Sequence, residues 1–481
     1  MPPQKDKKPK ASKPKGKPKE KDEQGALPFL HTILGAKEEI TEKIGLRFEA
    51  WPLFILGVIL LVNAYVWMPD IVSLALQMAL FLAPVWLPFL LVSGAIHLWY
   101  TLQRGEFISS FTYILLEIKP PRNLVKTPLA METFLTSLHL TGGESNWYAR
   151  FWGGTRPSFS LEIVSLEGQV HFFIWTRAKL RQIVEAQLYA QYPGVQVTEA
   201  PDYSRLISAT PEDWAIWGCD YEQTAKDEDP LPIKTYVEYG LDKVQKEPEQ
   251  VDPLANIIEF MSSIGKGEYI WLQFIIRAHK GEKYNKPNDK GKPYTWKDQA
   301  KKLVEDIRSK TRDSYTDPVT GEERPGFPNP TKGQSEKIAA IERNVSKFAF
   351  DVGPRCIYFA KPEKFSGAIV THTISLFKPF TSEGWNGINS TGWMKTFDDF
   401  PWEIGVSKRK DRFRRELVEE YRRRQFFYDP FYEGSLSPSK IMVMSTEEIA
   451  TVFHIPSSSI EAPGLTRIQS ATGTAPANLP I

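Results

Sequence analysis

The chain has 481 residues, too many for one ordinary hydrophobic core, since single cores stop growing at about 250 to 300 residues, so two or three folded units are expected. Its 60 Lys and Arg against 58 Asp and Glu leave a formal charge of +2, which excludes a uniformly basic nucleic-acid binder and confines electrostatic function to local clusters. Only Cys219 and Cys356 are present, far apart and without His or Cys at metal-ligand spacing, which argues against a disulfide framework or a zinc site and fits a reducing compartment.

Residues 1–24 alternate Lys with Pro, Gly, Ala and Ser and carry no large apolar side chain, so this tail is expected to be disordered. Lys5, Lys7, Lys8, Lys10 and Lys13 are candidates for contact with anionic lipid headgroups, at roughly 1 kcal/mol per basic residue held near the surface. A solubilising tail that sets topology is the plainer reading. Residues 25–50 read as an amphipathic juxtamembrane segment.

Between Arg47 and Arg104 there is no Lys or Arg, and the chain is almost wholly apolar from Trp51 to Trp67 and from Ile71 to Tyr100. A span needs about 20 apolar residues, so 51–102 reads as a two-helix transmembrane hairpin turning at Met68, Pro69 and Asp70. Pro84 and Pro88 should kink or split the second segment. Trp51, Trp67, Trp86, Trp99 and Tyr100 fall near the expected ends, where amphipathic rings prefer the headgroup level. Basic residues flank both ends of the hairpin, which implies an inner-membrane, multi-pass protein with both termini cytoplasmic.

The remainder reads as α+β. In 107–205, strands at 111–118, 158–164, 170–175 and 195–198 and helices at 127–140 and 177–191 give the order β-α-β-β-α-β of a ferredoxin-like unit. A related, stretched pattern fills 206–400 as a second α/β unit. It has strands at 214–221, 233–238, 269–278 and 355–359, helices at 253–264, 335–348 and 362–377, and a polar insert at 280–333 with a helix at 296–310. In 401–481, residues 408–424 form a strongly charged helix that reads as solvated or domain-bridging. The other reading makes Arg409, Arg412, Arg415, Arg422, Arg423 and Arg424 contacts for phosphate or nucleic acid.

No P-loop, dinucleotide fingerprint, G-x-S-x-G elbow or H-E-x-x-H occurs, and the histidines never fall at i,i+4. The chain is therefore expected to be no enzyme and to use no cofactor or metal.

Several blocks carry a resemblance: 131–154 (METFLTSLHLTGGESNWYARFWGG), 331–360, the RRRQFF segment, and the C-terminal MSTEEIATVFHIPSS. Together they resemble the membrane-anchored, non-motor region of the ATPases of type IV secretion and conjugative DNA transfer, as in ultrasmall uncultured bacteria. In that family a RecA-like motor with the P-loop follows, where this sequence ends at Ile481. The resemblance thus implies a non-catalytic component that anchors and positions a separate P-loop ATPase. It implies as partners the lipid bilayer and that ATPase, with a homo-oligomer expected if the motor is a ring. The alternative is a membrane-bound nucleic-acid-binding protein that acts through Arg422 to Arg424 and the lysine-rich insert.

Overall fold

A computed structural model describes residues 50–144, 147–208, 213–225, 228–243, 251–280, 294–316, 323–391, 406–424, 426–428, 441–458, 460 and 462–468. Two compact units partition the chain, Met1–His97 with Lys283–Tyr294, and Leu98–Glu282 with Thr295–Ile481.

In the first unit the apolar stretch folds as α1 (Ala50–Trp67), α2 (Pro69–Phe81) and the start of α3 (Ala83–Ser109). Among the described residues only α3 is by itself long and apolar enough to cross a membrane. Leu56–Trp67 and Pro69–Phe81 meet that test together, bent by 117° between them. Among the described residues there is thus one candidate span and a bent pair where a two-helix hairpin with a kinked or split second segment was expected. The reason is local. Pro69 opens α2, and Pro84 follows the break at Leu82 that separates α2 from α3, while Pro88 is tolerated inside α3.

The second unit is one antiparallel sheet with helices on both faces. It contains β1 (Tyr113–Lys119), α4 (Leu129–Ser137), α5 (Trp147–Phe151), β2 (Ser158–Leu166), β3 (Gln169–Arg177), α6 (Arg181–Gln191) and β4 (Gln196–Ala200). There follow β5 (Ala215–Gln223), α7 (Leu254–Ser262), β6 (Glu268–Ala278), α8 (Trp296–Lys310), β7 (Arg312–Thr316), β8 (Glu323–Pro328), α9 (Lys332–Ser346) and β9 (Ala349–Ala360). The chain continues with α10 (Gly367–Ile374), β10 (Ile388–Thr391), α11 (Val406–Arg423), β11 (Met442–Ser445) and α12 (Thr446–Val452).

The strand order is β10-β5-β9-β6-β2-β3-β1-β4, with β11 added to β9 and β7–β8 a separate ribbon. The order is palindromic in its logic. Within 113–200 the first, second, third and fourth strands lie as 2-3-1-4; within 215–391 β5, β6, β9 and β10 repeat that arrangement facing the other way. The two halves meet where β2 and β6 pair antiparallel from Ser158↔Arg277 to Leu166↔Tyr269, with Glu162 opposite Gln273 at the middle. Residues 107–205 and 206–400 therefore share one sheet.

Local sequence explains the pieces. Glu167 and Gly168, at φ of 55° and 89°, supply the two left-handed positions of the β2–β3 turn. Strands buried on both faces read as nearly continuous apolar runs, such as YIWLQFII in β6. α8 begins at a capping box between Thr295 and Asp298, and α9 at one between Thr331 and Gln334. One face of the sheet is covered by α4, α6, α7 and α12, the other by α11 and the segment around Tyr203. Ala300, Val304, Ile338 and Ile341 of the arm between β6 and β9 form a small separate core with Leu231 of the segment between β5 and α7.

The strand expected at 233–238 is not formed; these residues run as turns. Their amides are taken instead by the C-terminal helix: Ile233 N donates to Glu448 Oε1 at 3.1 Å and Tyr236 N to Thr451 Oγ1 at 3.0 Å. Residues 442–452 thus belong to the sheet and its cover, as β11 and α12.

Candidate functional site: a buried polar stripe beneath the charged helix

α11 is amphipathic in spite of its charge. Phe413, Leu417, Val418 and Tyr421 recur along one side and are buried against Trp175, Ile216, Trp271, Ile357 and Phe359. Each such side chain removed from water contributes roughly 1.5–3 kcal/mol. Gly218 in β5 makes the close approach possible, because a Cβ there would meet the Leu417 side chain. Gly353 in β9 does the same for the ring of Phe426.

Beneath this helix the sheet is not purely apolar. Glu117, Phe173, Glu162, Gln273, Arg355 and Asp220 are successive cross-strand partners, forming one transverse row over six strands. Glu162, Gln273 and Arg355 are 0% exposed. A carboxylate at such a site is tolerable only when paired and hydrogen-bonded. The chain supplies both. Arg424, immediately after α11, directs Nε to Glu162 Oε1 at 2.7 Å and Nη2 to Oε2 at 3.2 Å. The other side of the same guanidinium reaches both Asp202 oxygens at 2.9 Å. Ser160 Oγ (2.6 Å), Tyr203 OH (2.7 Å) and Gln273 Nε2 (3.1 Å) also donate to Glu162. Arg424 adopts φ of 51°, a conformation that costs an L-residue about 1–2 kcal/mol, and the forked ion pair offsets that strain.

Farther along the row, Arg355 Nε lies 3.4 Å from Asp220 Oδ1 and its Nη2 4.0 Å from Glu420 Oε2 on α11. At the end of the sheet, Asp351 receives Arg277 Nε at 2.7 Å and His279 Nδ1 at 2.6 Å, and Arg156 Nε is 3.1 Å from Glu144 Oε2. The Arg277 guanidinium is stacked by Phe427 and Tyr428 at 4.5 and 4.8 Å. Arg355 lies 5.3 Å over the ring of Phe426, so the segment following α11 is fastened by arginines at three points, Arg424, Arg355 and Arg277.

Burial works to raise the Asp202 carboxyl, but the hydrogen bonds and charge of Arg424 outweigh it and hold the group below the usual carboxylate range. Asp351 is held low against burial by His279 and Arg277. Burial, reinforced by the charge of Glu162, pushes the Tyr203 and Tyr421 phenols far up. Fixed anions and fixed phenols do not exchange protons near neutrality. What this arrangement does chemically is clamp α11 to the sheet. Among the described residues no group of three or more His, Cys, Asp or Glu side chains is placed to hold a metal ion.

The arginines expected to meet phosphate do not share a surface. Arg424 is buried in the clamp. Arg422 turns inward, its Nε donating to Ser204 O at 3.0 Å and its Nη2 to Ile207 O at 2.5 Å, with Glu419 Oε1 2.7 Å from Nη1. Arg412 pairs with Glu416 at 2.9 Å on the outer side, Arg415 Nε donates to Asp411 O at 3.4 Å, and Arg423 is exposed. Arg409 lies on α11. Lys5, Lys7, Lys8, Lys10 and Lys13 lie outside the described residues. Sequence reasoning missed Glu162, Asp220, Gln273 and Arg355. The signal was present as charged and amide residues set among the apolar ones of β2, β5, β6 and β9.

Residues 108–467 match the model of a family described as a domain of unknown function, DUF8128. The chain belongs to that family. No curated protein and no solved structure matches it. The DUF8128 region starts at Ile108, near the end of α3, and closes at Arg467, beside the Pro121↔Ile468 bridge that ties the C-terminal segment to the end of β1. It therefore contains every strand of the large sheet and the whole Glu162–Arg424 clamp, and leaves out α1, α2 and most of α3.

Proposed function

We propose that this chain is a non-catalytic, membrane-anchored component of a type IV secretion or conjugative-transfer-like apparatus that positions or recruits a separate P-loop ATPase at the cytoplasmic face of the inner membrane. The observation that carries this reading is the rigid joint between α3 and the sheet. Ile108 is buried, the Arg177 guanidinium lies 4.0 Å over Phe111 and 5.9 Å over Phe107, and Tyr113 stacks on Trp175 at 4.1 Å. An apolar helix coupled stiffly to a broad sheet suits a part that holds something at a fixed height above a bilayer.

In this reading α3 crosses the membrane and the bent α1–α2 pair makes a broken second crossing, leaving both termini cytoplasmic. The two halves of the sheet are ferredoxin-like units, and homo-oligomers would match a ring-shaped motor. The second reading, a nucleic-acid-binding role, loses Arg422 and Arg424, which are engaged within the protein, and rests on α11 through the outward Arg412, Arg415 and Arg423.

The test is a crosslinking pull-down of the tagged, detergent-solubilised protein from its native host, with mass spectrometry of what accompanies it. Recovery of a P-loop ATPase supports the recruiting role. A protein that fractionates away from membranes and recovers no ATPase refutes it. Salt-sensitive recovery of DNA without an ATPase would transfer the assignment to the second reading.

A further inference from the structure

The second unit carries a surface that neither the clamp nor the joint uses. α5 and the residue after it, WYARFW, present Trp147 at 69%, Tyr148 at 66% and Trp152 at 47% exposure. Soluble surfaces rarely gather large apolar rings in this way. The rings are not loose. Phe151 and Trp152 lie 5.7 and 5.9 Å from the ring of Trp99 on α3, Tyr100 is 6.0 Å from Phe151, and Trp99 Nε1 donates to Phe151 O at 3.2 Å. Gly153, at φ of 72°, allows the loop to lie on the helix, since a Cβ there would collide with the backbone of Gln103 and Arg104.

We infer that this aromatic platform is a second membrane contact, seated in the headgroup layer of the bilayer that α3 enters. Three features select lipid as the occupant. The rings are indoles and phenols, whose apolar body and polar edge suit the boundary between acyl chains and water. The platform is continuous with the exposed apolar residues of α3, Leu98 and Leu102. Arg150 is exposed within the same short helix and presents a cation to lipid phosphates. A helix alone leaves a domain free to swivel about its axis; a lateral contact held on that helix fixes the azimuth, so that one edge of the sheet always faces the membrane.

The inference rests on the membrane-anchored reading, and the experiment separates the two. Nitroxide labels are placed on Tyr148→Cys, Leu91→Cys and Phe327→Cys variants of the full chain, reconstituted in vesicles of phosphatidylcholine and phosphatidylglycerol. Native Cys219 and Cys356 are fully buried, and labelling is done on the folded protein. Collision with oxygen and with a water-soluble nickel chelate is then measured by power saturation. Oxygen accessibility exceeding nickel accessibility at 91 and at 148, with the reverse at the 94% exposed Phe327 position, is the expected result. A lipid-like 91 with a water-like 148 overturns the platform alone and assigns the rings to a protein partner. A water-like 91 overturns the membrane reading and the platform with it.

Discussion

Replacing Arg424 by Met is expected to destabilise the second unit by about 3 kcal/mol. Removing one partner of a buried ion pair costs about 3–5 kcal/mol, because the remaining charge is stranded. Two features place this site at the low end. Glu162 keeps its bonds from Ser160, Tyr203 and Gln273, and the Asp202 side chain, at 24% exposure, can be rehydrated. At roughly 2 °C per kcal/mol for a large unit, the thermal midpoint should fall by about 6 °C. The assay is thermal unfolding of the detergent-solubilised protein followed by tryptophan fluorescence, for R424M, E162Q and the double variant. The double variant should recover about 1 kcal/mol or more of the summed single losses, and moderate salt should change little, since a buried pair is poorly screened. If R424M lies within about 1 kcal/mol of the parent, or E162Q costs the same with and without Arg424, the clamp is not what holds α11.

Four further expectations concern the fold. Asp202, Asp351 and Glu447 are all held below their ordinary values, so the stability they contribute is present above the usual carboxylate range and lost as pH falls through their lowered values; unfolding temperatures should drop below about pH 4. Burial works to lower His454 but Asp252 prevails and raises it, while burial pushes Glu448 up to about 8, so each binds more protons folded than unfolded between its ordinary and its raised value; the stability Glu448 contributes declines from about pH 4.5 to about 8, and that of His454 from about pH 6.5 through its raised value. His454→Gln should flatten that decline in the same melting series. Gly353→Ala places a methyl where the ring of Phe426 lies and should cost on the order of 1–3 kcal/mol, read as a lowered midpoint with α11 retained by circular dichroism. Cys219 and Cys356 face each other across β5 and β9, and burial raises Cys219 and pushes Cys356 up to about 12, so iodoacetamide should modify neither in the folded protein and both in urea, as read by intact mass.

Much of the fold was legible because its central strands are long and buried on both faces, which leaves stretches rich in apolar residues at 158–166, 169–177, 269–278 and 349–360. The helix expected at 296–310 coincides with α8, since Thr295 and Asp298 mark its start chemically. β10, only Ile388–Thr391, has no pattern of its own and becomes a strand because β5 offers it a register. Ile233–Glu238 carries β-branched residues and reads as extended, yet among the described residues it pairs with no strand, and side chains of α12 take the amides of Ile233 and Tyr236. α11 misled in the other direction. Its arginines and glutamates hid an apolar side repeating at Phe413, Leu417 and Tyr421, and the partner that buries Arg424 lies at Glu162, far beyond any local window.

The palindromic strand order gives the molecule the geometry of a two-fold homodimer written on a single chain, with β2–β6 as its isologous interface. Joining the protomers covalently makes that interface independent of concentration. It also frees the protomers to specialise. One is fused to α3 and keeps the tight Glu167–Gly168 turn between its second and third strands; the other carries, at the equivalent turn, the arm bearing α8, β7, β8 and α9. A symmetric assembly would have to display two copies of α3 and two arms. This chain displays one of each, at opposite halves of a common sheet, so one architectural plan presents two different surfaces.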